Sequence, residues 1–354
     1  MKEKVFFIPV QDNEDDSAIC ARVSKAIGSL GLLDFINERD MVALKTHFGE
    51  QAHLGFVRPL YLAMLGGLVR ERSAVPFMTE TSTLYKGNRN NAVRHIELAN
   101  MHGFGFEKTG MSLVMADGLF GDDEVEVGIP GKLYRSVKIA SVIAKVQAMI
   151  VVSHFTGHPL AGFGAALKNI GMGCASRKGK MQQHSTAKPS IKKKNCTRCG
   201  ECVKWCPAGA ITLTEESAVI DRDLCIGCGQ CLSMCRFDAV KYNWKVTSTD
   251  LQEKIVEHAW GVEQALKGNT LYLNFLTRIT KDCDCMTGFE KIMPDAGVLI
   301  SADPVAVDAA SIDLVEERAG KKLGEIAHDL PCRHQVEYAR AIGFGSPDYE
   351  LVHV

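Results

Sequence analysis

Eight of the thirteen cysteines in this 354-residue chain fall between Cys196 and Cys235. The first run reads Cys196-Thr-Arg-Cys199-Gly-Glu-Cys202-Val-Lys-Trp-Cys206-Pro207, and the second reads Cys225-Ile-Gly-Cys228-Gly-Gln-Cys231-Leu-Ser-Met-Cys235-Arg236. Every cysteine of the first run has a counterpart 29 residues later, Gly200 matches Gly229, and Ala210-Ile211 matches Ala239-Val240. Three cysteines, each separated from the next by two residues, can wrap one iron–sulfur cubane so that three thiolates reach three irons, while the fourth cysteine points to the neighbouring cluster. The repeat therefore predicts two [4Fe–4S] clusters. Cys196, Cys199, Cys202 and Cys235 hold one, and Cys225, Cys228, Cys231 and Cys206 hold the other. Zinc knuckles use ligands in two pairs and do not explain four cysteines in a run, repeated.

This stretch reads as an α+β module of the bacterial two-cluster ferredoxin type over residues 191–243. Pro207 turns the chain after its cysteine. The second run has Arg236 there, a positive charge beside a cluster that favours its reduced, more negative state.

A second group of chemically capable residues lies at the ends of predicted strands. After Met41–Lys45 come Thr46, His47 and Glu50; after Val75–Met78 come Thr79, Glu80 and Thr81; after Ala148–Ser153 come His154, Thr156 and His158. In open parallel sheets, ligands bind beyond the carboxyl ends of the strands. Gly157 and Pro159 predict a loop around the two histidines. The Gly-rich segment that follows permits close backbone approach to a ligand, with Lys168 on a short helix starting near Gly164 and Cys174 beside it. Cys283-Asp-Cys285 supplies two soft ligands, which alone do not complete a metal site.

The elements that must carry these groups alternate. Strands are expected at Lys4–Pro9, Met41–Lys45, Val75–Met78, Ala148–Ser153 and Gly297–Ser301. Helices are expected at Asp16–Leu30, Val57–Arg72, near Asn90–His102, around Ser136–Lys145 and at Pro304–Ala319. This alternation predicts an α/β fold, a mostly parallel sheet with helices on both faces. Because it resumes after the cysteine runs, the ferredoxin module is an insertion, giving an α/β domain in two parts, 1–190 and 244–354, around 191–243. The stretch Ser176–Asn195, rich in Lys and Arg, reads as a solvated basic linker or as a patch for anions or an acidic redox partner.

Composition excludes several classes. A formal net charge of −1 gives no electrostatic footprint for nucleic acid. No stretch reaches the ~18 apolar residues of a membrane span, and the apolar run at the start is too short for a signal peptide. The expectation is a cytoplasmic protein that binds neither nucleic acid nor membrane. No P-loop, nucleophile elbow or dinucleotide-binding turn is present.

Lys45–Glu50 (KTHFGE), Thr79–Gly87 (TETSTLYKG), His158–His184 (HPLAGFGAALKNIGMGCASRKGKMQQH), the two cysteine runs and Ser301–Leu314 (SADPVAVDAASIDL) together resemble the iron–sulfur proteins of the domain-of-unknown-function 362 family, over essentially the whole chain. The large domain is more remotely similar to the nickel-pincer lactate racemases. There a lysine tethers a pyridinium-derived dithio mononucleotide that chelates nickel, a histidine ten residues before it is an acid/base, and a histidine sixteen residues after it ligates the metal. His158 and His184 stand at those offsets from Lys168. The resemblance implies His158 as acid/base, Lys168 as cofactor or anion anchor and His184 as metal ligand, with His154 as a further catalytic candidate and His47 and Glu80 at the rim. It also implies a further metal or nucleotide-derived cofactor. Two departures separate this chain from those racemases: their second acid/base histidine has no secure counterpart, and they lack the ferredoxin insertion.

Three functions fit these residues. The first is an oxidoreductase passing electrons between the clusters and a substrate or cofactor in the α/β domain. The second is a ferredoxin-like carrier with a docking domain, and the third a racemase-like metalloenzyme with structural clusters. The partner is accordingly a redox protein or a small-molecule substrate.

Overall fold

A computed structural model describes residues 2–85, 87–184, 188–241, 246–286 and 288–354. The boundary expected between 243 and 244 lies outside the described residues. Eight strands form one sheet in the order Tyr349–His353, Glu3–Pro9, Gly297–Ser301, Thr270–Leu276, Ala148–His154, Met41–Lys45, Val75–Glu80, Leu113–Met115. Only Gly297–Ser301 runs against its neighbours; all other pairings are parallel. The sheet thus contains strands from both sides of the cysteine-rich segment.

Successive residues of the central strands are buried on opposite faces, as period-two side chains sandwiched between helices must be. Val42, Leu44, Ile150 and Val152 pack with Val23 and Ile27 of the helix Asp16–Ser29 and with Leu62 and Leu65 of Pro59–Glu71. Ala43, Met149 and Val151 pack on the other side with Val256 and Ala259 of Ser248–Leu266 and with Ala306 and Ala310 of Pro304–Ala319. The ends of these helices are set by sequence. Asp15 and Asp303 accept backbone N–H bonds at two N-termini, and Pro304 occupies the first turn of the latter helix.

The cysteine-rich segment repeats in backbone as it does in sequence. Gly200 and Gly229, with φ of 79° and 74°, each precede a short helix, Glu201–Lys204 and Gln230–Met234. Only glycine adopts this left-handed conformation without strain. Ser190–Ile191 pairs antiparallel with Val240–Lys241, and Ile211–Leu213 with Ala218–Ile220. No helix among the described residues is long and apolar enough to cross a membrane.

Three sequence expectations are corrected. Ser136–Ala140 is a strand paired with Glu124–Gly128, not the start of a helix over Ser136–Lys145. Its buried Val137 and Ile139 alternate with the partly exposed Ser136 and Lys138, a two-residue period carried by β-branched side chains. The histidine loop is a small hairpin, Thr156–His158 against Gly162–Gly164. The basic stretch is not a solvated linker where it begins: Arg177–His184 is helical, with Arg177 and Lys180 buried. Residues 185–187 of that stretch lie outside the described residues. Among elements the sequence reading left unassigned, Ser248–Leu266 and Thr270–Leu276 matter most, because they cover and extend the sheet's centre.

Candidate functional site

The parallel strands deliver their carboxyl ends to one edge. There Lys45, His47, Glu80, Thr81, Ser153 and His154 line a cavity of ≈ 200 Å³. The hairpin contributes Thr156 and His158, the short helix Ala166–Gly171 contributes Lys168 and Asn169, and the helix Arg177–His184 contributes Lys180 and His184. Arg89, Tyr85, Cys283, Asp284 and Cys285 complete the wall. His158, Lys168, His184, His154, His47 and Glu80 therefore face one space. Cys174 does not: it is fully buried in the core between sheet and helices, where burial pushes its thiol up to about 12.

Charges around the cavity are arranged in fixed pairs. Lys45 Nζ lies 2.7 Å from Glu80 Oε1 and donates to Asn169 Oδ1 at 2.7 Å. Burial opposes ionisation of Glu80, but Lys45, His47 and Lys180 outweigh it and hold the carboxyl well below its usual range. Arg89 pairs with Glu50 at 3.0 Å and donates to Tyr85 and to His47 Nε2. His47 Nδ1 faces the Gly49 N–H as well, a demand that a neutral ring meets at only one nitrogen.

Lys180 donates to Thr81 Oγ1 and, at 2.6 Å, to Ser82 O; burial brings it down to about 8 despite Asp117. Lys168 opens partly onto the cavity yet is surrounded by protein, and burial lowers it to about 8 against the pull of Asp284. Its Nζ makes no hydrogen bond among the described residues. Asp308 holds the Lys168 helix in place, accepting from the Ala166 and Leu167 N–H at 2.9 and 2.8 Å and from Asn274 at 2.7 Å. Burial raises Asp308 to about 7.

The histidines have distinct roles. Burial and then Lys168 push His158 well below its ordinary value, which favours the neutral ring. Its Nδ1 accepts from the Leu160 and Ala161 N–H at 3.1 and 2.9 Å, so the proton of the neutral ring falls on Nε2. His184 is lowered to about 4 by burial, Lys168 and Lys180. His154 is engaged at both nitrogens, Nδ1 by Asp284 Oδ1 at 2.8 Å and Nε2 by Thr277 O and Arg278 O at 3.0 and 3.2 Å. Asp284 also receives His53 Nε2 at 2.9 Å. Burial opposes its ionisation, yet the two histidines hold its carboxyl far below the ordinary range. His154 is thus a strut for the Cys283–Cys285 loop.

The eight cysteines of the two runs surround two hollows. Cys196, Cys199, Cys202 and Cys235 line one, and Cys206, Cys225, Cys228 and Cys231 line the other. All eight are free thiols. Backbone N–H groups of Ala218, Ala210 and Ala239 point at the sulfurs of Cys196, Cys206 and Cys235, each at 3.3 Å. The second cysteine run rests on the cavity's helix. A Cβ at Gly229 would lie 2.9 Å from Met181 Cγ, and Gln230 donates to Asp122 at 2.7 Å.

Lys45, Arg89, Lys180 and Asp284 were not singled out from sequence. Lys180 reads as one member of a basic run, and Arg89 as part of a polar loop. Asp284 had one available signal, its place between two cysteines.

Residues 42–313 match the family described as a domain of unknown function, DUF362. No curated protein matches the chain. Among solved structures, the lactate racemase apoprotein from Thermoanaerobacterium thermosaccharolyticum is similar at 12% identity with a TM-score of 0.46, covering 88% of this chain and 57% of that one. A protein from Thermotoga maritima is similar at 12% identity and a TM-score of 0.44, covering 88% of this chain and 61% of that one. The chain therefore spans less than two thirds of either.

Proposed function

This chain belongs to the DUF362 family, and from that premise we propose that it is an iron–sulfur oxidoreductase in which two [4Fe–4S] clusters exchange electrons with an anionic substrate or cofactor in the α/β cavity. The observation that carries this reading is the sorting of eight free thiols into two hollows of four, three from one run and the fourth from the other. Two ligand sets with N–H groups aimed at their sulfurs fit cubanes. Bound clusters supply single electrons at low potential. We assign residues 191–243 to an inserted ferredoxin module and 1–190 with 244–354 to the domain that binds the substrate, in a cytoplasmic setting.

The chain's own residues do the rest. The helix Arg177–His184 touches the second cysteine run through Met181 and the cavity through Lys180 and His184, so the module and the cavity share one element. Lys45, Lys168, Lys180 and Arg89 outnumber Glu80 and Asp284 along the wall, which favours a carboxylate or phosphate. His158 donates a hydrogen bond from Nε2 to negative charge on the substrate. Lys168 and His184 are an amine near neutrality and a neutral imidazole, the side chains that would anchor or ligate a further metal or nucleotide-derived cofactor. A simple carrier has no use for such a cavity. The partner that supplies or takes the electrons is a redox protein.

Protein purified without oxygen should be brown and hold about eight irons and eight sulfides per chain. Four irons, or stoichiometric zinc in their place, would reject the proposal.

A further inference from the structure

Cys283 and Cys285 belong to neither ligand set. They are joined as a disulfide across Asp284, with Cys283 buried and Cys285 half-buried on the cavity wall. A ring nitrogen of His158 and both sulfurs lie within 4.8 Å of one another. Three contacts impose this arrangement. Asp284 is clamped by His154 and His53. The Gly157 N–H donates to Thr280 O at 2.9 Å. A Cβ at Gly157 would stand 2.2 Å from Lys281 O, so only glycine lets this loop lie on the hairpin that carries His158.

We propose that Cys283 and Cys285 form a redox-active dithiol/disulfide centre in the cavity, with the Nε2–H of His158 serving the leaving thiolate, and that it exchanges with a dithiol. The same trio has the ligand types of a zinc site with an open fourth position. The tautomer of His158 decides between the two. A ligating histidine donates its other N–H to a carbonyl or carboxylate. His158 does the reverse: its Nδ1 accepts two backbone N–H bonds, which puts the proton on Nε2 and leaves that nitrogen no lone pair for a metal. With Nδ1 taken by those two N–H groups, Nε2–H is the ring group left to serve a departing thiolate.

The exchange balances as follows. One thiol of the external dithiol loses its proton and attacks Sγ of Cys285, the more exposed sulfur. The S–S bond breaks, and its electron pair goes to Cys283, which leaves as a thiolate held by a hydrogen bond from the His158 Nε2–H and takes up the proton released by the attacking thiol. The dithiol's second thiol loses its proton and attacks the mixed disulfide. Cys285 leaves as a thiolate and takes up the proton released by that second thiol. Two electrons and two protons have passed to the protein, and the dithiol has become a disulfide.

The test uses the full-length protein under anaerobic conditions, equilibrated with mixtures of reduced and oxidised dithiothreitol, quenched by alkylation and read by mass spectrometry on the peptide containing both cysteines. The expected result is a single two-electron transition between no label and two labels. His158→Ala should slow the exchange on the order of 100-fold, the contribution of a positioned hydrogen-bond donor to developing negative charge, without changing the end states. Cys285→Ser should abolish formation of the mixed disulfide with dithiothreitol while leaving Cys283 available to alkylation. Two labels under every mixture would overturn the proposal. So would one equivalent of zinc retained by the phosphine-reduced protein and lost in the Cys283→Ser/Cys285→Ser double variant. Iron is measured in the same samples. The transition is expected whatever the iron content, so failure of this centre and failure of the cluster reading are separately visible.

Discussion

Replacing Asp284 by Asn keeps the side chain's shape and removes its charge. Asp284 is the one acceptor shared by His154 Nδ1 at 2.8 Å and His53 Nε2 at 2.9 Å, and all three side chains are buried. Breaking a buried charged pair from one side costs about 3–5 kcal/mol, because the remaining partner is left desolvated without compensation. A chain of 354 residues unfolds with an entropy of about 0.7 kcal/mol/K. Asp284→Asn should therefore lower the apparent Tm by about 4–7 °C, read anaerobically from intrinsic fluorescence at a fixed scan rate. Because Asp284 ties the 280–286 loop to the end of the strand Ala148–His154, deuterium uptake in that loop should rise as well, while the helix Asp16–Ser29 stays as protected as before. A drop below about 1 °C, or a drop with no change in the loop, would refute the reasoning: the carboxylate would then not be the clamp.

Cys206→Ala should remove the cluster held by Cys225, Cys228 and Cys231 and spare the one held by its own run, leaving about four irons; loss of the other cluster would overturn the crossed assignment. Lys168, lowered to about 8 by burial, should react with an amine-directed reagent with a midpoint near pH 8, whereas exposed lysines titrate near about 10.4. The sign follows from burial, which disfavours the charged amine, so the reactive neutral form appears at lower pH. A midpoint above about 9, by mass spectrometry of the Lys168 peptide, would show that the amine is well solvated.

The chain's two kinds of chemistry were legible to different degrees. The cysteine runs are local: their spacing, their 29-residue repeat and the offset of the fourth cysteine all fit within 40 residues, so the two proposed ligand sets could be written down from sequence, and the structure gathers the same two sets of four around separate hollows. The strand ends were legible too, since buried parallel strands are short apolar runs and the polar residues after them must gather at one edge. Ser136–Ala140 was misread because five residues are too few to separate a two-residue period from a helical one, and only its pairing with Glu124–Gly128 decides. The cavity wall joins Lys45, Arg89, Lys180 and Asp284, which are scattered over 240 positions. A lysine in a basic run looks solvated in sequence, and what buries Lys180 is the carbonyl of Ser82 and the hydroxyl of Thr81, almost a hundred residues earlier. Cys283 and Cys285 likewise remain two soft ligands until the hairpin lays His158 beside them. Ligand spacing along a chain is set by local covalent geometry, whereas the company a side chain keeps across a cavity is set by packing, and packing depends on residues that sequence distance does not connect.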